Sequence, residues 1–310
     1  MDRFDAMQAF ARVVETGSFT RAADTLRTSR TRVTQLVQQL ESHLRVKLLH
    51  RTTRRVRVTA DGAAYYTRVV RLLADLDDAE TSLATAAAAP RGRLRVDIPS
   101  PLARLVVVPA LPAFHARYPD IQLELGASDR KVDLLDENVD CVIRGGTLAE
   151  PSLRARHVAD LPLGLYAAPA YLARAGTPSG PQALAESHHR IVAYRGSRAG
   201  APVVPAMRRG DQEVRAHARY VLSVDDGNAY LAAGIAGLGL VWLPQYMARG
   251  PQARGELVRL FEDWHMEPMP LSLAFPDGRH VSRKLRVFID WIVELVANQS
   301  PAILPPRAAG

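Results

Sequence analysis

The chain is short of the residues that several kinds of chemistry need. Of its 310 residues only Cys141 is a cysteine, which excludes an intrachain disulfide, and its setting VDCVI suits a buried strand better than a redox-active or catalytic thiol. No apolar run approaches the roughly 20 residues that cross a bilayer. The amino end, MDRFDAMQAFARVVETG, bears acids and lacks the unbroken apolar centre of a secretory signal, so a cytoplasmic protein with no membrane partner is expected. GxSxG, HExxH and phosphate-loop sequences are absent, and an enzyme is not indicated. Gly234, Gly237 and Gly239 run GxxGxG and close a helix instead of opening one, which points to capping and close packing and not to a dinucleotide loop. His188 and His189 are adjacent, cannot share a metal from one helix face, and read as solvent-facing loop residues. No cofactor or metal is expected.

Acids are few between positions 20 and 60, and bases are many. There Asp24 and Glu41 face Arg21, Arg27, Arg30, Arg32, Arg45, Lys47, Arg51, Arg54, Arg55 and Arg57, a net +8, which equals the formal charge of the whole chain. The remaining thirty basic and thirty acidic residues cancel. Such a compact cationic region on an otherwise balanced molecule is a footprint for a polyanion. At 47% hydrophobic and 23% charged residues, the chain can bury the cores of two or three domains.

The pattern inside this stretch selects the polyanion. Val33, Leu36, Val37, Leu40 and Leu44 mark one face of a helix beginning after Ser29, a suitable N-cap. The other face offers Arg30, Thr31, Thr34, Gln35 and Gln38, with Arg32 beside it. Ser18 caps a preceding short helix whose Ala22 and Ala23 permit close approach, and the pair across Arg27 and Thr28 makes a helix-turn-helix. Arginine can grip guanine, glutamine can pair with adenine and a threonine methyl can meet thymine, so this face suits the major groove. Leu48 to Arg51 and Arg55 to Val58 form a basic hairpin around Thr52, Thr53 and Arg54, a wing for phosphate or the minor groove. A basic but merely solvated amphipathic helix is the plainer reading, and the adjoining hairpin argues against it.

These residues resemble the amino-terminal half of the LysR-type transcriptional regulators, through AFARVVETGSFTRAADTL, the serine-initiated second helix, LESHLRVKLLHRTTRRVRVT and the long helix that follows. The resemblance extends in weaker form over nearly the whole chain. It departs from the usual pattern at Arg30, Thr31 and Arg32 in the reading helix. It departs again at Arg45, where a glycine usually ends the helix and a left-handed residue costs about 1–2 kcal/mol.

Before this stretch, Phe4, Met7, Phe10, Val13 and Val14 fit one stripe of an opening helix ending at Gly17. After it, Thr59 caps a proline-free helix to about Ala89. Its Tyr65, Val69, Leu72, Leu76, Ala79, Leu83 and Ala86 alternate by 4 and 3, a heptad seam that suits pairing between subunits, the alternative being a helix lying on its own domain. Paired helices set two reading heads on one face of a roughly two-fold operator.

Past the hinge AAAAPRG, strands and helices alternate: strands at 93–98, 121–126, 139–144, 163–167, 191–194, 215–224 and 240–243, helices at 102–117, 131–137, 226–236 and 282–296. That rhythm predicts mostly parallel sheets covered on both sides. The resemblance implies a two-lobed fold like the periplasmic binding proteins, the chain leaving the first lobe near Ala167 and returning near Leu271. In such sheets a ligand sits beyond the strand carboxyl ends and at helix N-termini. That rule selects Ser100, Pro101, Leu102, Ser128, Arg144, Gly145, Tyr194, Arg195, Asp225 and Asp226, positions that also match the family's effector cleft. An organic or aromatic acid neutralised by Arg144 is the expected effector, a structural salt bridge the alternative role for that residue.

The reading is therefore a multidomain protein. A winged helix-turn-helix occupies 1–60, all-α with a small β wing, followed by a linker helix at 61–90. An α/β effector-binding domain spans 91–300, with lobe I at about 91–166 and 270–300 and lobe II at about 167–269, ahead of a frayed tail at 301–310. Its partners would be double-stranded DNA, a small-molecule effector, RNA polymerase and further copies of itself, as homodimer or homotetramer through the linker helix and regulatory domain. A solute-binding or enzymatic α/β protein with a basic oligomerisation module is the rival from another class.

Overall fold

A computed structural model describes residues 2–51, 56–83, 89–129, 139–147, 153–185, 189–196, 204–215, 219–276 and 281–298. It falls into two compact units, the first built on Met1–Ala88 and the second on Ala89–Leu135 and Val139–Gly310. No helix among the described residues is long and apolar enough to cross a membrane.

In the first unit, helix α1 (Arg3–Thr16) starts at Asp2, whose carboxylate accepts the Phe4 N–H at 2.9 Å, and stops at Gly17 in the left-handed conformation. Helix α2 (Phe19–Thr25) is capped by Ser18 and α3 (Arg30–Leu44) by Ser29, whose hydroxyl takes the Arg32 N–H at 3.1 Å. Between them Arg27 turns the chain at φ 51° while the Thr28 N–H closes onto the Ala23 carbonyl. Ala22 and Ala23 are buried, together with Phe10, Val13, Val33, Val37, Leu40 and Leu48, in one core. The expected stripe of α1 is corrected at its start. Phe4 is 51% exposed, and Ala6 and Ala9 face the core in its place, because α1 packs against α2, α3 and a further helix and only small side chains fit among three neighbours.

Strands β1 (Leu49–Arg51) and β2 (Val56–Val58) pair antiparallel, Arg51 opposite Val56. Helix α4 (Ala60–Leu83) follows Thr59, whose hydroxyl accepts the Gly62 N–H at 2.8 Å and donates to the Lys47 carbonyl at 2.7 Å, tying the linker to the root of the wing. The seam along α4 divides. Tyr65 packs on its own head, 5.8 Å from the Phe10 ring, and Val69 is fully buried, whereas Leu72 is 51% exposed. Ala86 lies outside the described residues.

The second unit contains strands β3 (Gly92–Ile98), β4 (Ile121–Ala127), β5 (Cys141–Gly145), β6 (Leu153–Leu161), β7 (Leu163–Ala167), β8 (Arg190–Tyr194), β9 (Met207–Arg209), β10 (Gln212–Val214), β11 (Arg219–Val224), β12 (Val241–Pro244), β13 (Val258–Leu260), β14 (His265–Met266) and β15 (Met269–Pro276). Its helices are α5 (Ser100–Leu102), α6 (Val108–Arg117), α7 (Pro169–Ala175), α8 (Gly227–Ile235), α9 (Gln245–Ala253) and α10 (Arg283–Ala297). A wider π-helical segment, Ala103–Val107, makes α5 and α6 one continuous run. Pro109 explains the widening: it lacks an N–H, and its ring crowds the carbonyl four residues back.

The first lobe is a five-stranded sheet in the order β4-β3-β5-β15-β6, packed with the helical run from Ser100 and α10 around Leu94, Ile98, Phe114, Ile143, Leu273 and Phe288. In the second lobe β7 lies between β12 and β13, and a parallel bridge from Ile191 to Leu240 joins them to β8 and β11 around a separate core. Parallel pairing holds for β3 with β4 and β5 and for β8 with β11, whereas β15 runs antiparallel to β5 and β6. The sheets are thus mixed, not mostly parallel, because the chain must return to the first lobe as a strand.

It changes sheet at Pro162, ahead of the expected Ala167, and is back in the first by Met269. The helix expected at 131–137 lies outside the described residues. Cys141 is fully buried in β5, and burial pushes its thiol well above the ordinary range, so it packs as a small apolar side chain. His189, expected in solvent, is buried beside Tyr171. Gly234 and Gly239 pack without room for a Cβ against Val241 and the Arg190 carbonyl, as expected of a structural motif.

Candidate nucleic-acid interface and inter-lobe cleft

Helix α3 turns its apolar face inward, which leaves Arg30, Thr31, Arg32, Gln35 and Gln38 exposed along the other side, with Thr34 half-buried at its edge. Arg32 leans toward α1, its guanidinium 3.8 Å from the Asp5 carboxylate; both are about half exposed, so solvent screens the pair. Arg51 belongs to β1, and Thr52, Thr53 and Arg54 lie outside the described residues.

The wing is attached through one of the two acids of this basic stretch. Glu41, in the last turns of α3, is buried, and its Oε1 accepts the N–H of Leu48 at 2.9 Å and of Leu49 at 3.1 Å. Lys47 reaches the other oxygen at 3.0 Å. Burial alone would raise the Glu41 pKa, but the Lys47 and backbone hydrogen bonds outweigh it and hold the carboxyl below its ordinary value. One of only two acids amid ten bases was the available signal. The turn just before the wing passes through Arg45 at φ 55°, left-handed despite its side chain.

In the second unit the positions chosen at strand ends converge from both lobes. Ser100, Pro101 and Leu102 open the helical run after β3, and Asp226 caps α8, accepting the Ala229 N–H at 2.7 Å. The Ser100 hydroxyl donates to Asp226 at 2.6 Å and accepts from the Asn228 amide at 2.8 Å. Asp129 bridges the lobes: its Oδ1 takes the Ser100 N–H at 3.0 Å and its Oδ2 takes the Gly227 N–H.

Behind this junction Arg144, at the end of β5, lies 2.5 Å from Asp97, and Ser128 donates to the same carboxylate at 3.2 Å. Tyr194 ends β8 with its ring 5.4 Å from that of Tyr230, and the Arg195 N–H bonds the Val224 carbonyl. Burial, then the carboxylates of Asp129, Asp226 and Asp225, push the Tyr194 hydroxyl above its ordinary value. Burial likewise raises Asp129, with Asp226 adding to it. Gly145 sits in the ladder opposite Leu271 and takes no part in these hydrogen bonds. Sequence reasoning missed Asp97, Asp129 and Asn228. Asp129 follows the selected Ser128 directly, and nothing in the sequence showed that its side chain would span two lobes.

Comparisons with known proteins agree with both halves of this geometry. Residues 4–63 match the bacterial regulatory helix-turn-helix of the lysR family, and residues 87–297 match the LysR substrate binding domain. An HTH-type transcriptional repressor of Pseudomonas aeruginosa is 39% identical over 99% of this chain and 96% of its own length. The solved structure of CrgA, a LysR-type transcriptional regulator from Neisseria meningitidis, is 32% identical, with a TM-score of 0.59 over 93% of this chain and 97% of that one. Full-length AphB, a virulence activator of Vibrio cholerae, is 27% identical with a TM-score of 0.57 over 94% and 98%. A capped reading helix with a short wing, a long following helix and a two-lobed α/β domain are thus joined in the same order as in these regulators, and the chain belongs to the LysR family of transcriptional regulators, which pair a DNA-binding helix-turn-helix with an effector-binding domain and are not enzymes.

Proposed function

We propose that Arg30, Thr31, Thr34, Gln35 and Gln38 meet bases or nearby phosphates in the major groove, with Arg32 at the edge and Arg51, Thr52, Thr53 and Arg54 on the adjacent backbone. The observation that carries this is the exposed polar row of a serine-capped α3 within a stretch, positions 20 to 60, whose net charge equals that of the whole chain. In this reading 1–60 is the reading head, 61–90 the linker and 91–300 the regulatory domain, in a cytoplasmic protein that also contacts RNA polymerase.

Self-association uses the outer half of α4 and the regulatory domain. There Leu105 and Val108 are exposed on the helical run after Ser100, and Tyr220 and Val221 on β11. The effector lies between the lobes near Ser100, Ser128, Tyr194 and Asp226, and acts by favouring one arrangement of the lobes over another. Asp97 already engages Arg144, so an organic acid held by that guanidinium is no part of the reading. Mobility shift with the DNA upstream of the chain's own gene tests it. Tight retention of that fragment and weak retention of a shuffled one are expected at 150 mM salt, a concentration of physiological order at which the Debye length is about 8 Å. Equal retention of both overturns the proposal.

A further inference from the structure

Anion sites in α/β proteins are built from backbone N–H groups at helix starts, and the two that face each other across this cleft are already taken. The Ser100 N–H opens the helical run that continues to Arg117, the Gly227 N–H opens α8 on the other lobe, and one carboxylate, Asp129, accepts both. The approach is tight. A Cβ added at Gly227 would lie 2.5 Å from the Pro101 Cγ and 3.1 Å from Asp129 Oδ2, so the first residue of α8 can be only a glycine with the lobes this close. The Ser100 hydroxyl, a second group that could have received a ligand, is spent on Asp226 and Asn228. Arg144 is matched with Asp97.

We propose that Asp129 is a built-in anion: it fills the carboxylate subsite between Ser100 and Gly227, latches the two lobes to each other, and leaves the cleft to an effector that is neutral or positively charged. The inference rests on the reading of this cleft as the effector site and deepens it. The Ser100 and Gly227 N–H groups and the Arg144 guanidinium are each satisfied from within the chain. An acidic effector would have to displace Asp129, which is tethered and therefore present at high effective concentration. It would also enter beside the carboxylates of Asp225 and Asp226, whose charge reaches Tyr194 together with that of Asp129. An amine or a hydroxyl-rich molecule meets no such opposition.

Thermal unfolding of the full chain in sodium acetate, against sodium chloride at equal ionic strength, tests this. The wild-type protein should unfold at the same temperature in both salts. Asp129→Ala should unfold earlier in chloride and gain a saturable rise in Tm with acetate, as the free ion enters the vacated subsite. A wild-type protein that gains as much from acetate, or an Asp129→Ala protein that gains nothing, would overturn the proposal.

Should Asp129→Ala not fold, Asp129→Asn carries the test through amide hydrogen exchange. Losing the charged acceptor should speed exchange at Ser100 and Gly227 on the order of tenfold or more, while β5 is unaffected. Unchanged exchange at both amides would overturn the latch. Neither readout involves DNA, so failure here leaves the operator-binding reading standing, and failure to bind the operator leaves the latch result standing.

Discussion

The Arg144 guanidinium lies 2.5 Å from the Asp97 carboxylate, with only 12% and 11% of the two side chains exposed, and the Ser128 hydroxyl donates to the same carboxylate. A pair this buried is costly to break from one side, because the partner remains charged and out of water. Arg144→Ala is therefore expected to destabilise the regulatory domain by about 3 kcal/mol. A double-mutant cycle with Asp97→Ala, read by urea unfolding, should show the two losses to be strongly non-additive.

Glu41 makes the reading head acid-sensitive. Its folded-state pKa lies below the ordinary 4.5, so its contribution is fully present above the unfolded value and is lost as pH falls through the folded one. Glu41→Gln keeps an acceptor for the Leu48 and Leu49 N–H groups but loses the charge. It should cost about 1 kcal/mol at pH 7 and flatten the stability of the first unit below about pH 4.5, as followed by thermal scans across that range.

Two substitutions separate base reading from backbone attraction. Gln35→Ala should change the preferred operator sequence, at about 1–3 kcal/mol for the base it reads. Arg54→Ala should weaken all sequences alike and lower the slope of log affinity against log salt by about 1. Binding selections from a randomised pool at two salt concentrations check both.

Arg45 pays a backbone penalty at φ 55°. Arg45→Gly should relieve it and stabilise the first unit by about 1 kcal/mol, after allowance for the freer unfolded chain. The measurement is the Tm of the first unfolding transition.

The outer part of α4 should hold subunits together while the inner part holds its own head. Leu72→Lys, at an exposed position, is expected to shift the protein toward monomer in sedimentation equilibrium without lowering the stability of the first unit. Val69→Ala, at a fully buried one, should destabilise the head by about 1–2 kcal/mol.

What the sequence disclosed depended on whether the signal was local. Ser18, Ser29 and Thr59 were legible as caps because an N-cap is satisfied within three residues, and the structure has all three hydrogen bonds. The α3 face was legible because helical period alone decides it. Phe4 was misread because its exposure depends on three helices meeting α1. The strands Leu153–Leu161 and Met269–Pro276 escaped because long crossovers separate them from their partners, and Pro270 and Pro276 resemble loop residues. The effector positions were found from the rule about strand ends, while Asp129 and Asp97 were not, since which carboxylate answers which N–H or guanidinium is set by packing across 29 and 47 positions of sequence.

The Phe10 ring on Tyr65, with the Tyr66 hydroxyl on Glu15, leaves no soft joint between α1 and the start of α4. Since α3 rests on α1, α3 and the rod that leaves the head turn as one lever. Over the 24 residues of α4, about 36 Å, a tilt of about 5° displaces the far end by about 3 Å. A swing of α4 is therefore carried into the orientation of α3 instead of being absorbed at their joint.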